Sequence, residues 1–241
     1  MKRLPVFITM FIFLLCTTVT VWGTSGKPAI TPDDALKQLK EGNDRYLAGK
    51  STHLKIDASR MKDTTKHGQH PFATVIGCSD SRVPIEIIFD QGIGDIFVIR
   101  VAGNVCDVDE IGSIEYGIDH LKTPLMVVLG HTHCGAVTAV VTEAEVHGSI
   151  PPLIDNIHPA VAETRKNNPK LTGNALINAA VEANVWQSIE DLIKGSPAAR
   201  QLAKSGSLKV VGAIYNIESG KVDILGTHPD QERLTTSAKS H

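Results

Sequence analysis

Short apolar runs bounded by glycine or polar residues set the rhythm of this chain. Ala73-Thr74-Val75-Ile76-Gly77 leads into Cys78, and Leu125-Met126-Val127-Val128-Leu129-Gly130 leads into His131, with Ile93 to Arg100 between them. Runs of this length and composition predict buried strands. Helical periodicity fills the gaps. Val83 to Phe89 predicts a short helix with Pro84 near its start. Asp107 to Leu121 predicts another, with Ile111, Ile114, Ile118 and Leu121 on one face. Ala136 to Val146 predicts a helix after the third strand.

The second half of the chain continues the pattern. Ser149 to Asn167 reads as helical after Pro151-Pro152. A longer helix runs from Thr172 to Gly195, and a short one from Pro197 to Lys204. Leu208 to Asn216 and Val222 to Leu225 flank a Glu218-Ser219-Gly220-Lys221 turn, which predicts an antiparallel hairpin at a sheet edge.

Upstream of the strands, Thr31 can cap a helix, Pro32 suits its first position, and Asp33 and Asp34 favour the positive end of its dipole. Leu36, Leu39, Asn43, Tyr46 and Leu47 share one face of this arm, about 31–49. That stripe must be covered by its own domain or by a neighbouring subunit. Lys50 to His70 is polar and aperiodic and predicts a loop. The tail, about 227–241, is polar and predicts a frayed end. Alternating strands and helices define an α/β fold. The expected architecture is a single domain with a mainly parallel central sheet of four strands plus an antiparallel edge strand, flanked by helices. No linker divides it.

The first residues have a different character. Lys2 and Arg3 precede an apolar stretch from Val6 to Val21, and Val21-Trp22-Gly23 follows at cleavage spacing. This predicts a secretory signal peptide over 1–23 and a mature domain over 24–241. The competing reading is an uncleaved anchor, but the apolar core is shorter than the ~20 residues of a spanning helix. No later stretch is apolar enough to span a bilayer, so the expected product is exported, periplasmic and without a stable membrane span. The formal net charge of −2 gives no reason to expect a nucleic-acid partner.

Export bears on the cysteines. Cys78, Cys106 and Cys134 remain after the signal, an odd number for an oxidising compartment. Two thiolates and one imidazole make a good zinc set, and three protein ligands leave a fourth position for water, the mark of a catalytic site. Cys78, His131 and Cys134 sit at predicted strand ends, where open α/β sheets place ligands. A Cys78–Cys134 disulfide is the alternative. Cys106 is a further candidate in a separate loop. Asp80 lies close enough to reach such a metal, and Arg82 can hold it away by a bidentate pair. His133 alternates away from His131.

Cys78-Ser79-Asp80-Ser81-Arg82 together with His131-x-x-Cys134-Gly135 resembles the β-class carbonic anhydrases, and the resemblance runs from about Leu36 to Gly226. It implies one Zn2+ per subunit on Cys78, His131 and Cys134, and a catalytic dyad of Asp80 and Arg82. It implies that Gln69, Phe97 and Tyr116 line the substrate pocket and that Gly135 offers its backbone N–H near the substrate. The substrates implied are CO2 and bicarbonate. In the family the pocket lies at a dimer interface, so a homodimer or higher even oligomer is expected, with Gln69, Phe97 and Tyr116 serving a partner's zinc. Closed-site members resemble one another in a tryptophan where this chain has Val75, which favours the open, accessible form. Val101-Ala102-Gly103-Asn104 departs from the family's usual Asn-x-Ala-Asn.

Overall fold

The computed structural model describes residues 30–52 and 55–236. The expected signal peptide and the last residues, 237–241, lie outside them. Five strands form one sheet in the order β2-β1-β3-β4-β5. These are β1 (Ala73–Gly77), β2 (Ile96–Arg100), β3 (Leu125–His131), β4 (Lys209–Tyr215) and β5 (Val222–Gly226). β1 pairs in parallel with both β2 and β3, and β3 pairs in parallel with β4. β5 runs antiparallel at the edge. The expected fold class is what is found. β1 and β3 are buried along their whole length because helices cover both faces.

On one face lie α1 (Pro32–Leu47) and the one-turn α3 (Ile85–Ile88). Thr31 caps α1 by accepting from the Asp34 N–H at 3.1 Å. The stripe of α1 faces its own domain: Ala35, Leu39, Gly42 and Asn43 are buried, whereas Leu47 is exposed. The polar member of that stripe has a structural reason. Asn43 donates to the carbonyls of Ile88 and Gly220 and accepts from the Val222 N–H, so it ties α3 and the β4–β5 hairpin to the arm.

The other face carries α4 (Val108–Glu115), α5 (Gly135–Thr142), α6 (Ile150–Asp155), α7 (His158–Asn167), the long α8 (Gly173–Gly195) and α9 (Pro197–Ser205). Asp107 caps α4 with Glu110 in a capping box. The helix expected from Asp107 to Leu121 changes to a π turn over Tyr116–His120. Gly117 lies there against Thr74 and Phe97, so close that a Cβ would meet Thr74 Oγ1 at 2.3 Å. The helical stretch before Asn167 divides into α6 and α7.

Two expectations are corrected. The polar segment before β1 contains a helix, α2 (Ala58–His67), none of whose residues is buried. It has no apolar stripe to read. It is held by an Asp57 cap and by Arg60, which donates to the Ile93 carbonyl at 2.7 Å and to Asp95 at 3.1 Å. The tail forms α10 (Gln231–Thr236), where Leu234 enters the core beside α8 and α9. One buried leucine in a polar stretch leaves almost no periodic signal. No helix among the described residues is long and apolar enough to cross a membrane.

Candidate metal centre

β1 and β3 are direct parallel neighbours, with Gly77 opposite Leu129. The chain leaves the sheet after both strands at the same end. Cys78 follows β1, His131 closes β3, and Cys134 is the N-cap of α5. Their three ligand atoms lie within 4.8 Å of one another, and all three residues are buried. The tight turn between His131 and Cys134 requires His133 to adopt a left-handed conformation, φ 57°.

The donors fit a soft divalent metal. Nδ1 of His131 is 2.9 Å from the Thr132 carbonyl, which can only accept, so Nδ1 carries the proton. Nε2 therefore presents its lone pair, and it is buried with no hydrogen-bond partner among the described residues. Buried polar atoms are rarely left so. Thr132 is itself fixed: its N–H donates to Tyr215 at 3.0 Å and its hydroxyl accepts from the Ile217 N–H at 3.1 Å. A histidine ligand oriented through its other ring nitrogen is the usual arrangement in metal sites. The two sulfurs act on one another: the contact with Cys134 lowers the Cys78 thiol pKa, and the contact with Cys78 raises that of Cys134.

Asp80 stands beside this group but outside it. Arg82 donates from Nε to Oδ1 at 3.0 Å and from Nη2 to Oδ2 at 2.7 Å, and its backbone N–H adds a bond to Oδ1 at 2.9 Å. These bonds hold the Asp80 carboxyl well below the usual carboxylate range. Arg82 also reaches the His133 carbonyl at 3.2 Å, linking the loops after β1 and β3. The expected bidentate pair is present. The His133 ring points away, toward Glu218 at 3.4 Å.

The other expected residues are placed differently. Phe97 and Tyr116 come together, ring centroids 5.8 Å apart. Phe97 is paired with Thr74, whereas Cys78 lies beyond Gly77. At about 3.3 Å per residue this sets Phe97 roughly 13 Å back along the sheet from the cysteine of its own chain. Gln69 is exposed in the segment before β1, and Gly135 opens α5. Cys106 is buried in a different apolar cluster, with Ile114 and Ile189, and burial pushes its thiol pKa up. It is not part of the metal group.

Three supports of the site lie outside the sequence motifs. Arg100, at the end of β2, donates to the carbonyls of Cys78 and Asp80 at 3.1 and 2.6 Å. Gly103 donates its N–H to Cys78 Sγ, and Asn184 on α8 donates to the Gly103 carbonyl. Only the glycine in the loop after β2 carried a local signal.

A mainly parallel α/β sheet with a buried Cys-His-Cys group at adjacent strand ends defines a protein with a candidate site for one metal ion. The comparisons narrow this. The carbonic anhydrase family matches residues 73–222. The carbonic anhydrase of Mycolicibacterium smegmatis is 38% identical over 201 residues, covering 82% of this chain and 95% of that protein. Carbonic anhydrase 2 of Mycobacterium tuberculosis is 37% identical over 199 residues, covering 80% and 93%. The solved structure of the β-carbonic anhydrase CafA of Aspergillus fumigatus matches with a TM-score of 0.68 at 26% identity, covering 87% of this chain and 99% of that one. The chain belongs to the β-class carbonic anhydrase family.

Proposed function

We propose that this chain catalyses the reversible hydration of carbon dioxide to bicarbonate and a proton, with zinc held by Cys78, His131 and Cys134. The observation that carries the reading is the buried Nε2 of His131, which has no hydrogen-bond partner among the described residues and is grouped with two sulfurs. When bound, zinc supplies the Lewis acidity that brings the ionisation of water to about neutral pH. The residues of the chain do the rest. Asp80 is kept ionised by Arg82 and accepts a hydrogen bond, which orients the attacking oxygen. Its low proton affinity suits it to steering rather than to storing the released proton. The Gly135 N–H, at the start of α5, serves the substrate oxygen.

The open form is favoured, since Arg82 occupies both carboxylate oxygens and Asp80 is absent from the ligand group. We take the working unit as a homodimer or higher even oligomer. β2 is an edge strand, and the Phe97–Tyr116 pair lies back from the zinc ligands of its own chain with Tyr116 exposed. Gln69, Phe97 and Tyr116 then line a partner's pocket, whose apolar wall suits CO2. Export to the periplasm, after cleavage at about residue 23, follows from the amino-terminal pattern.

Stopped-flow CO2 hydration with metal analysis tests the reaction. Cys78→Ala with wild-type turnover would sink it. Sedimentation tests the oligomer, where a monomer at working concentration counts against the shared pocket. The mass of the protein recovered from the periplasmic fraction tests export.

A further inference from the structure

Gly103 stands between a zinc ligand and a residue far along the chain. Its N–H donates to Cys78 Sγ at 3.3 Å, and its carbonyl accepts from Asn184 Nδ2 at 2.7 Å. Gly103 and Asn104 are both left-handed, with φ 72° and 47°. A Cβ on Gly103 would lie 2.6 Å from Ile157 Cδ1, so a larger residue there would be strained both by its φ and by that side chain. Asn184 holds the turn from α8.

Asn184 is buried at 1% exposure in the middle of a helix anchored by Val185, Ile189 and Leu192. Its Oδ1 has no hydrogen-bond partner among the described residues. The bond to Gly103 is therefore what its side chain does. A buried amide with an unmet oxygen costs stability that leucine, filling similar space, would not. Packing alone does not explain the residue.

We propose that Asn184 is a positioning residue for the metal: through Gly103 it fixes the donor that holds the Cys78 sulfur. This rests on the zinc reading above. Donors to a thiolate stabilise its charge and set its direction. Loss of such outer partners typically weakens metal binding about 10–100-fold.

The test compares zinc transfer to a chromophoric chelator from zinc-loaded wild type, Asn184→Leu and Ser188→Ala. Ser188 is equally buried, one turn along α8, and donates to the Asn184 carbonyl at 2.8 Å, so it controls for general loosening of the helix. Asn184→Leu is expected to release zinc about 10–100-fold faster, and Ser188→Ala at the wild-type rate. Wild-type release by Asn184→Leu, or equally fast release by both variants, overturns the proposal. Should Asn184→Leu not fold, wild type and Asn184→Ala loaded with cadmium-113 decide the matter. A coupling between the Gly103 amide proton and cadmium, carried through Cys78 Sγ, is expected in wild type and a weaker one in Asn184→Ala; its absence from wild type, or equal coupling in both, overturns the proposal. A wild type that binds neither metal removes the zinc reading itself, and this inference with it, before any variant is made.

Discussion

Arg82 meets Asp80 fork to fork, with contacts of 3.0 and 2.7 Å, and the same Nη2 continues to the His133 carbonyl at 3.2 Å. One guanidinium thus fixes the carboxylate after β1 and joins it to the loop carrying His131 and Cys134. A lysine ammonium is a compact point of charge without the planar fork that meets both carboxylate oxygens side by side. Arg82→Lys is expected to reduce CO2 hydration about 100-fold, the scale of a misplaced catalytic group, while zinc content stays at wild type. Loss of zinc together with activity would mean that Arg82 supports the metal site rather than Asp80.

His131 presents a buried lone pair that no other described residue uses. His131→Ala is expected to abolish stoichiometric zinc and to bring CO2 hydration to background with the fold retained. Metal analysis and circular dichroism on the same sample check both halves. A variant that keeps one zinc per chain would show that the imidazole is not a ligand.

Metal binding to the folded chain alone adds to its stability by mass action, about 2.7 kcal/mol at a hundredfold excess over Kd. Stripping with a chelator should lower the melting temperature. Zinc should restore it and magnesium should not, because a sulfur-rich donor set disfavours a hard cation. Identical melting curves for stripped and loaded protein would count against a bound metal in the folded state.

Gly42 of α1 approaches the backbone of Phe89 so closely that a Cβ would lie 1.8 Å from that carbonyl oxygen. A backbone atom cannot rotate aside. Gly42→Ala should destabilise the fold by about 1–3 kcal/mol, read as a lower urea midpoint. An unchanged midpoint would show that α1 is not docked on its own domain.

Asp191 on α8 has its pKa pushed up to about 6 by burial, against which Gln187 and Lys194 act, while Glu190 and Asp107 add to the rise. A carboxyl with a raised folded pKa favours the folded state below its unfolded value. That advantage is lost as pH rises toward 6. Asp191→Asn should therefore be more stable than wild type at pH 7.5, by about 1 kcal/mol after allowance for partial exposure, with the gain vanishing below pH 4. Denaturant melts at the two pH values check the sign. A variant less stable at pH 7.5 would refute it.

The strands, the mainly parallel sheet with an antiparallel edge and the group Cys78, His131 and Cys134 were legible in the sequence. Continuous apolar runs mark buried strands, and the ligands sit directly at their ends, so local pattern carried the site. Asp80 and Arg82 were legible for the same reason, being two residues apart. The helix α2 and the tail helix α10 were not, because caps, ion pairs and a single leucine hold them without an amphipathic stripe. Asn184 lies 106 residues from Cys78 in the chain, on a helix that carries no motif. Only folding brings it to Gly103. Tertiary structure also decided that Cys106 faces a separate core cluster and that Phe97 lies back from its own Cys78. Register and packing are properties of the whole sheet, and no local stretch of residues encodes them.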